Sequence, residues 1–374
     1  MSASIDCAYW EAGRCQSCTL IETPYARQLG EKDTAARSAL PMVPDEVWQP
    51  PQASAPSHFR NKAKLVVGGR PGAVTVGILD GRRDGVDLRD CPLHEIGLRD
   101  VIHRTADLLD ELRLIPYDIP RRRGELKYAL LTHSPNGELM LRLVLRTRHH
   151  LDQLRTRLPD IRRALPETRV ISVNLHPDHK AVLEGEEEIL LTADDTLPMT
   201  VNDITLHLGV RSFFQTNTAV AAELYRTARA WTDGLRPATI ADLFCGVGGF
   251  AHHLAGPGRQ VTGVEISAEA IDAARRTVTP HRVRFIAGDA TAYVIGSGAN
   301  DLVVVNPPRR GITTLAADLE ASTAVGHVLY SSCNAASLAS DLAAMPSWRP
   351  VRARVFDMFP QTRHTEILAL LERR

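Results

Sequence analysis

The fold is decided by the stretch DLFCGVGGF at residues 242–250. It follows an apolar run with strand character and opens a helical pattern, and its glycines let the backbone approach a ligand at the strand's carboxyl end. From here to the C-terminus strands alternate with helices, which predicts an α/β fold with a doubly wound sheet. The predicted strands are Thr239–Phe244, Gln260–Glu265, Val283–Ile286, Leu302–Val305, His327–Tyr330, Arg352–Phe356 and Glu366–Leu371.

A cofactor site is expected around this glycine-rich turn. Glu265 ends the next predicted strand, about 20 residues further on, where a carboxylate binds ribose hydroxyls. Gly246, Gly248 and Ala251 also satisfy a loose G-x-G-x-x-A pattern, so a nicotinamide or flavin enzyme has to be considered. The fourth strand decides between these classes.

The fourth strand ends in NPPRRG at residues 306–311. An Asn-Pro-Pro turn at this place forms a rigid, polar lip over the cofactor site, as in S-adenosylmethionine enzymes that act on planar bases. A dehydrogenase has no need of such a lip. Asp289 is placed to reach the adenine end of the cofactor, although a plain turn residue explains it equally well.

A candidate nucleophile lies in YSSCNA at residues 330–335. An apolar strand precedes this segment and a helical pattern follows it, so Cys333 is predicted on a tight turn at the carboxyl edge of the sheet. The nearby helix N-terminus is expected to lower the pKa of the thiol and to raise its thiolate fraction. The alternative for an isolated cysteine is a small buried hydrophobic side chain.

Four further cysteines form a candidate metal site. The first three have the spacing C-x7-C-x2-C, and the fourth, which is the least strongly indicated, follows in DCPL at residues 90–93. Four thiolates suffice for a tetrahedral zinc site or for a [4Fe-4S] cluster, and the spacing does not choose between them. The expected ligands are Cys7, Cys15, Cys18 and Cys91. The remaining cysteine, Cys245 in the glycine-rich turn, is interpreted as a packing residue.

A smaller α+β module is predicted before residue 200, with basic residues at the ends of several of its predicted elements. Runs of basic residues at 58–64, 121–127 and 146–150 favour a contact with RNA, although such runs are also typical of solvated surface. The proline-rich residues 41–56 are predicted to be an ordered wrap or a linker. The predicted elements are a helix at 98–114, a hairpin of Tyr128–Thr132 and Leu139–Leu145, a helix at Leu151–Leu165 and a strand at Val170–Leu175.

The composition of the 374-residue chain restricts its class. Basic and acidic side chains balance at 44 each, so the net charge does not identify a polyanionic partner. No run approaches the length of a membrane span, and the N-terminus lacks the basic-then-apolar order of a signal peptide. A cytoplasmic location is therefore expected, where disulfides are not.

With Asn306 and Cys333 considered together, the chain resembles the RNA uracil-C5 methyltransferases. Relatives that modify other RNA positions often have proline where this chain has Ala335, and one group that also acts on 23S ribosomal RNA carries an extra N-terminal domain where only six residues precede Cys7. Both departures favour a different subgroup, which acts on 23S ribosomal RNA and lacks that domain. The similarity covers nearly the whole sequence and includes GRCQSC at 13–18, FRNKAK at 59–64, RGELKY at 123–128 and DMFPQTRHTE at 357–366.

The resemblance implies a set of functional residues. Cys333 would add to C6 of the uracil, and Glu366, with His364 close by in sequence, would remove the C5 proton. The four N-terminal cysteines would hold a [4Fe-4S] cluster, and the substrate would be the uridine at position 747 of 23S rRNA, flipped out of its stack. S-adenosylmethionine would be held by Gln215, Phe244, Glu265, Asn306 and, as a further candidate, Asp289.

The resulting architecture has three parts. Residues 1–95 are expected to hold the iron–sulfur segment and the start of the central module, 96–199 the α+β RNA-binding module, and 200–374 a Rossmann-like S-adenosylmethionine-dependent methyltransferase domain. A monomer is expected. Three alternatives for the substrate stay open: another 23S uridine, two 23S uridines modified by the same enzyme, or a tRNA. Two alternatives for the class of protein also stay open: a nicotinamide oxidoreductase and a non-catalytic iron–sulfur RNA-binding protein.

Overall fold

The computed structural model describes residues 5–180, 182–296 and 300–374. The helices are α1 (Ala8–Glu11), α2 (Tyr25–Ala39), α3 (Ile96–Glu111), α4 (Leu151–Thr156), α5 (Leu158–Ala164), α6 (Thr218–Leu235), α7 (Gly249–Leu254), α8 (Ala268–Arg275), α9 (Ala290–Gly296), α10 (Thr314–Ala321) and α11 (Ala335–Ala343). The strands are β1 (Lys62–Arg70), β2 (Ala73–Leu79), β3 (Gly85–Asp87), β4 (Leu126–His133), β5 (Leu139–Leu145), β6 (Thr168–Leu175), β7 (Glu187–Leu190), β8 (Thr196–Val201), β9 (Ile204–Gly209), β10 (Thr239–Leu243), β11 (Gln260–Glu265), β12 (Val283–Ala287), β13 (Asn300–Val305), β14 (Val325–Ser332), β15 (Trp348–Phe356) and β16 (Glu366–Arg373).

The chain forms two compact units. We call residues 19–56 with 200–374 the C-terminal unit, and residues 5–18 with 57–199 the central unit. The change of unit after residue 199 falls where the methyltransferase domain is expected to begin. Residues 5–95 are divided between the two units. Strands β1 to β3 belong to the same sheet as β4, with β1 paired to β4, and this sheet joins residues 57–95 to those that follow them.

The C-terminal unit contains a doubly wound sheet, as the sequence predicts. Its strand order is β12-β11-β10-β13-β14-β16-β15 within the described residues. Pairing is parallel from β12 to β14, whereas β16 runs antiparallel to both of its neighbours. The strand order reverses beside β10, and ligands bind α/β sheets at the carboxyl ends of the strands next to such a switch point.

Helices cover both faces of this sheet. Leu315 of α10 and Leu338 of α11 pack on one face, together with Val303 and Val328 of the sheet. Side chains alternate along a strand, so Asp242 points to the opposite face. Its carboxylate accepts the N–H of Ala251 in α7 at 2.8 Å, which shows that α7 lies on that opposite face.

The N-terminal part of the C-terminal unit contributes an element that no sequence pattern indicated. Helix α2 buries Gln28 and Lys32, so its inner face is not an apolar stripe. The proline-rich residues 41–56 are ordered, as a wrap would be: Trp48 is buried in the core of the unit and forms a bridge with Ala353 of β15.

The central unit has its own sheet, in the order β3-β2-β1-β4-β5-β6-β7 among the residues described. The predicted hairpin is confirmed as β4 and β5, and α3 to α5 pack on one face of the sheet. The helix predicted at Leu151–Leu165 is two helices, α4 and α5, because Pro159 in the first turn of α5 lacks the N–H that a continuous helix needs. No helix in the described part of the chain is long and apolar enough to cross a membrane.

Candidate functional site

A cavity of about 630 Å3 opens at the carboxyl ends of the parallel strands in the C-terminal unit. Its size lies within the range of sites for small-molecule ligands. The structure brings to its wall all seven residues that sequence analysis assigned to catalysis or to the cofactor. They are Gln215, Phe244, Glu265, Asp289, Asn306, Cys333 and Glu366.

The glycine-rich turn after β10 forms one wall of this cavity. Phe244 has a φ of 62°, a left-handed conformation that is strained for a residue with a side chain, and Gly246 and Gly248 continue with φ of 54° and 84°. Glu265, at the end of β11, accepts the N–H of Gly246 at 3.3 Å and that of Ser267 at 3.0 Å. Its carboxylate is therefore held at the cavity wall, where it is available to a ligand's hydroxyl groups.

Asp289 lines the cavity and also caps a helix. Its Oδ1 accepts the N–H of Ala292, in the first turn of α9, at 2.9 Å. Both interpretations that the sequence left open are therefore compatible with its position.

The lip after β13 is anchored to the nucleophile segment. Asp341 of α11 accepts the N–H of Ile312 at 2.9 Å and the hydroxyl of Tyr330 at 2.6 Å. The side chain of Asn334, next to Cys333, donates to the carbonyl of Arg309 at 3.0 Å. These contacts couple the position of the Asn-Pro-Pro turn to that of the candidate nucleophile.

Cys333 lies between β14 and α11, on the turn that the sequence predicts. The expected decrease in its pKa is wrong. Burial raises the pKa of the half-buried Cys333 thiol, the Glu366 carboxyl raises it further, and Arg309 lowers it in opposition. At the helix N-terminus the side chain of Asn334 already accepts the N–H of Ala336 at 3.1 Å, so this N–H is not directed at the thiol.

Glu366, the first residue of β16, is buried beside this thiol. Its exposed fraction is 2%, and burial raises the pKa of its carboxyl to about 7. The hydroxyl of Ser331 donates to its Oε1 at 2.5 Å and opposes that increase. A carboxyl with a pKa near neutrality is suited to accept a proton during a reaction.

Three more side chains at the cavity were not assigned a function from sequence. Burial raises the pKa of Tyr225 in α6, and the nearby carboxyls of Asp242 and Glu366 raise it further. Arg309 and Phe359 also line the cavity. Tyr225 lies within an ordinary amphipathic helix, so no local pattern marks it.

The four candidate metal ligands all lie in the central unit and are free thiols. Burial raises the pKa of Cys18 to about 12, and the thiols of Cys91, Cys15 and Cys7 each contribute to that increase. The four are therefore neighbours. Within the described ranges, no set of three or more His, Cys, Asp or Glu side chains is arranged to hold a metal ion. Cys245 is buried in the C-terminal unit.

Three cations of the basic runs are paired with acidic side chains. Arg121 binds Asp118, Arg146 binds Glu125 and Arg148 binds Glu187. These pairs neutralise part of the charge that the sequence analysis assigned to an RNA-binding face.

Two family models match the chain. The model described as "Methyltransferase domain" matches residues 240–314, and the model described as "tRNA (Uracil-5-)-methyltransferase" matches residues 293–374. The second match includes both the segment of Cys333 and that of Glu366.

Similar proteins extend the match to nearly the full chain. A Halothiobacillus neapolitanus protein named 23S rRNA (uracil(747)-C(5))-methyltransferase RlmC is 46% identical over 378 residues, which cover 98% of this chain and 99% of that protein. The Serratia proteamaculans protein of the same name is 45% identical, with the same coverage. The solved structure of Pyrococcus abyssi tRNA (uracil-54, C5)-methyltransferase with S-adenosyl-L-homocysteine has a TM-score of 0.78 and 25% identity, and the match covers 95% of this chain and 85% of that one.

Proposed function

Because this chain belongs to the RlmC family of 23S rRNA uracil-C5 methyltransferases, we propose that it methylates C5 of uridine 747 in 23S rRNA. As an RNA (uracil-5-)-methyltransferase, it would act through a covalent adduct of the uracil with Cys333. The observation that carries this proposal is that Cys333 and Glu366 share one cavity with a glycine-rich nucleotide-binding turn. A thiol, a carboxyl of raised pKa and a cofactor-type loop are the groups that this reaction requires.

Cys333 acts first in the proposed reaction. C5 of uracil is a poor nucleophile, so it does not attack a methyl donor directly. Addition of the Cys333 thiolate to C6 forms an Sγ–C6 bond and moves the electrons of the C5–C6 double bond into an enolate, which makes C5 nucleophilic. Arg309, which lowers the pKa of this thiol, stabilises the thiolate before addition.

The cofactor would occupy the wall formed by the glycine-rich turn. The carboxylate of Glu265 suits the ribose hydroxyls of S-adenosylmethionine. The polar side chain of Gln215 suits the amino-acid part of the cofactor, and Asn306 lies in the lip over it. Phe244 and Asp289 complete the expected set. When bound, S-adenosylmethionine supplies a methyl group that passes from its sulfonium sulfur to C5, leaving S-adenosylhomocysteine.

Glu366 completes the reaction as general base. Its carboxylate takes the proton from C5, the electrons of that C–H bond restore the C5–C6 double bond, and the thiolate of Cys333 leaves C6. The proton remains on Glu366 until it passes to water. Burial favours this role because the raised pKa makes Glu366 a stronger base than an exposed carboxylate.

The four cysteines of the central unit fit a [4Fe-4S] cluster. They form an all-thiolate donor set, and each of the other three raises the pKa of Cys18 by its proximity. An all-thiolate set suits zinc as well, and the choice of a [4Fe-4S] cluster follows from the resemblance to the family. Methyl transfer needs no electron, so the cluster would be structural or would position the RNA.

The substrate is proposed from the full-length relatives. Those named for uracil 747 of 23S rRNA match at 45–46% identity over 98% of the chain, whereas the structural relative named for tRNA matches at 25%. The target base must leave its stack to reach the thiol, so an unpaired or flipped uridine is the expected form. A non-catalytic RNA-binding protein would not need the pairing of Cys333 with Glu366.

The covalent step is tested with a 23S rRNA fragment that carries 5-fluorouridine at position 747. Fluorine replaces the proton that Glu366 would remove, so elimination stalls and a protein–RNA adduct should accumulate with wild type on a denaturing gel. Cys333→Ala should form none while still binding RNA and S-adenosylmethionine. An adduct with this variant, or none with wild type despite binding of both, would overturn the mechanism.

A further inference from the structure

Ser331 is placed to act on the proposed base. It lies near the end of β14 with no exposed surface, and its hydroxyl donates to Oε1 of Glu366 at 2.5 Å. Ser331 pairs with Leu368 across the antiparallel β14–β16 contact. Glu366 is two residues before Leu368 on the same strand, so its side chain lies on the same face of the sheet as that of Ser331.

This hydrogen bond bears directly on the charge state of Glu366. A hydroxyl that donates to a carboxylate stabilises the ionised form, which is the form that accepts a proton. Burial works in the opposite direction and favours the neutral acid. The carboxyl is therefore balanced between two opposing influences, and Ser331 supplies the one that keeps it ionised.

The other ionisable groups near Glu366 come from several elements. Cys333 follows β14, Tyr225 faces Glu366 from α6, and His364 lies two residues before it at the same cavity. On β15 the residue that pairs with Glu366 is the apolar Phe356. The thiol of Cys333 and the phenol of Tyr225 are neutral when protonated. The hydroxyl of Ser331 is directed at the carboxylate of Glu366 and donates to it.

We infer that Ser331 is a positioning residue that keeps Glu366 ionised and aimed at the C5 proton, and so sets the pH range in which the covalent adduct resolves. The inference rests on the proposed role of Glu366 as the base. One strand end thus carries both the nucleophile, Cys333, and the partner of the base.

The test follows the C5 proton itself. RNA with tritium at C5 of the target uridine releases tritium to water when the base acts, and this release is measured in single turnovers from pH 6 to 9. For wild type the rate of release from the adduct, once it has formed, should rise with a midpoint near the pKa of Glu366, about 7. For Ser331→Ala the midpoint should rise by about one unit, the effect of one hydrogen bond to a charged group.

The variant should therefore release tritium about fivefold more slowly than wild type at pH 7 but at nearly the same rate at pH 9. Ser331→Thr, which keeps a hydroxyl, should follow wild type. An unchanged midpoint, or an equal loss at every pH, would overturn the inference because either result indicates a purely structural role.

Adduct formation on 5-fluorouridine RNA separates this inference from the proposed function. It precedes proton removal, so Ser331→Ala should form the adduct at least as fast as wild type at each pH, because a less ionised Glu366 raises the pKa of the Cys333 thiol less. Slow formation by this variant would contradict the inference by placing Ser331 in the addition step. Absence of an adduct with wild type would instead refute the role of Cys333.

Discussion

The thiol of Cys333 and the carboxyl of Glu366 have pKa values that their sequence positions do not provide. A cysteine before a helix predicts a thiol of lowered pKa, yet burial and the nearby carboxyl raise it. The resemblance assigns Glu366 the role of base but not its burial, which raises the pKa of its carboxyl to about 7. The positions of both residues follow from local pattern and resemblance. Their electrostatics depend on which groups face them across the sheet, and sequence spacing does not contain that information.

Replacement of Glu366 by Gln should separate the two halves of the reaction. Addition and methyl transfer proceed, but the amide does not take the C5 proton, so turnover should fall by about 10²- to 10⁴-fold. A methylated protein–RNA adduct should then accumulate with ordinary uridine. Denaturing electrophoresis with labelled methyl groups measures both effects. Turnover within a few-fold of wild type would show that another group is the base.

Helix α2 shows why some elements escape prediction from sequence. Its buried face carries Lys32, which binds Asp357 at 2.6 Å with both side chains buried, and Gln28, which donates to Gln361 at 2.9 Å. Polar side chains on an inner face give no apolar period, although they hold the segment that precedes Glu366. The strands around the cavity, in contrast, are apolar runs between glycines and prolines, and these were predicted to within a few residues.

The two cysteine-bearing segments of the central unit have a test of their own. Anaerobically purified wild type should contain about four irons per chain if the segments hold a [4Fe-4S] cluster. Cys18→Ala should lose most of this iron and the visible absorption that accompanies it. Cys245→Ala is the matched control, because that thiol is buried in the other unit and should keep the full iron content. Equal iron in the two variants would refute the assignment.

At the scale of the whole molecule, a local sequence pattern marks residues 200–374, whereas none marks the earlier residues that share their unit. Residues 200–374 follow a strand–helix alternation that specifies a doubly wound sheet. Residues 19–56 join the same unit through contacts more than 300 residues apart in sequence, such as that of Lys32 with Asp357. Contacts of this kind depend on the folded arrangement, so no boundary signal near residue 19 or 56 announced them.

The central claim is that this chain methylates C5 of uridine 747. The most direct measurement incubates the intact protein with unmodified 23S rRNA and S-adenosylmethionine, and maps 5-methyluridine by mass spectrometry of nuclease fragments. Methylation is expected in the fragment that contains uridine 747, and it should be lost when that uridine is replaced by cytidine. Undiminished methylation of the substituted RNA, or no methylation of the intact RNA, would contradict the central claim.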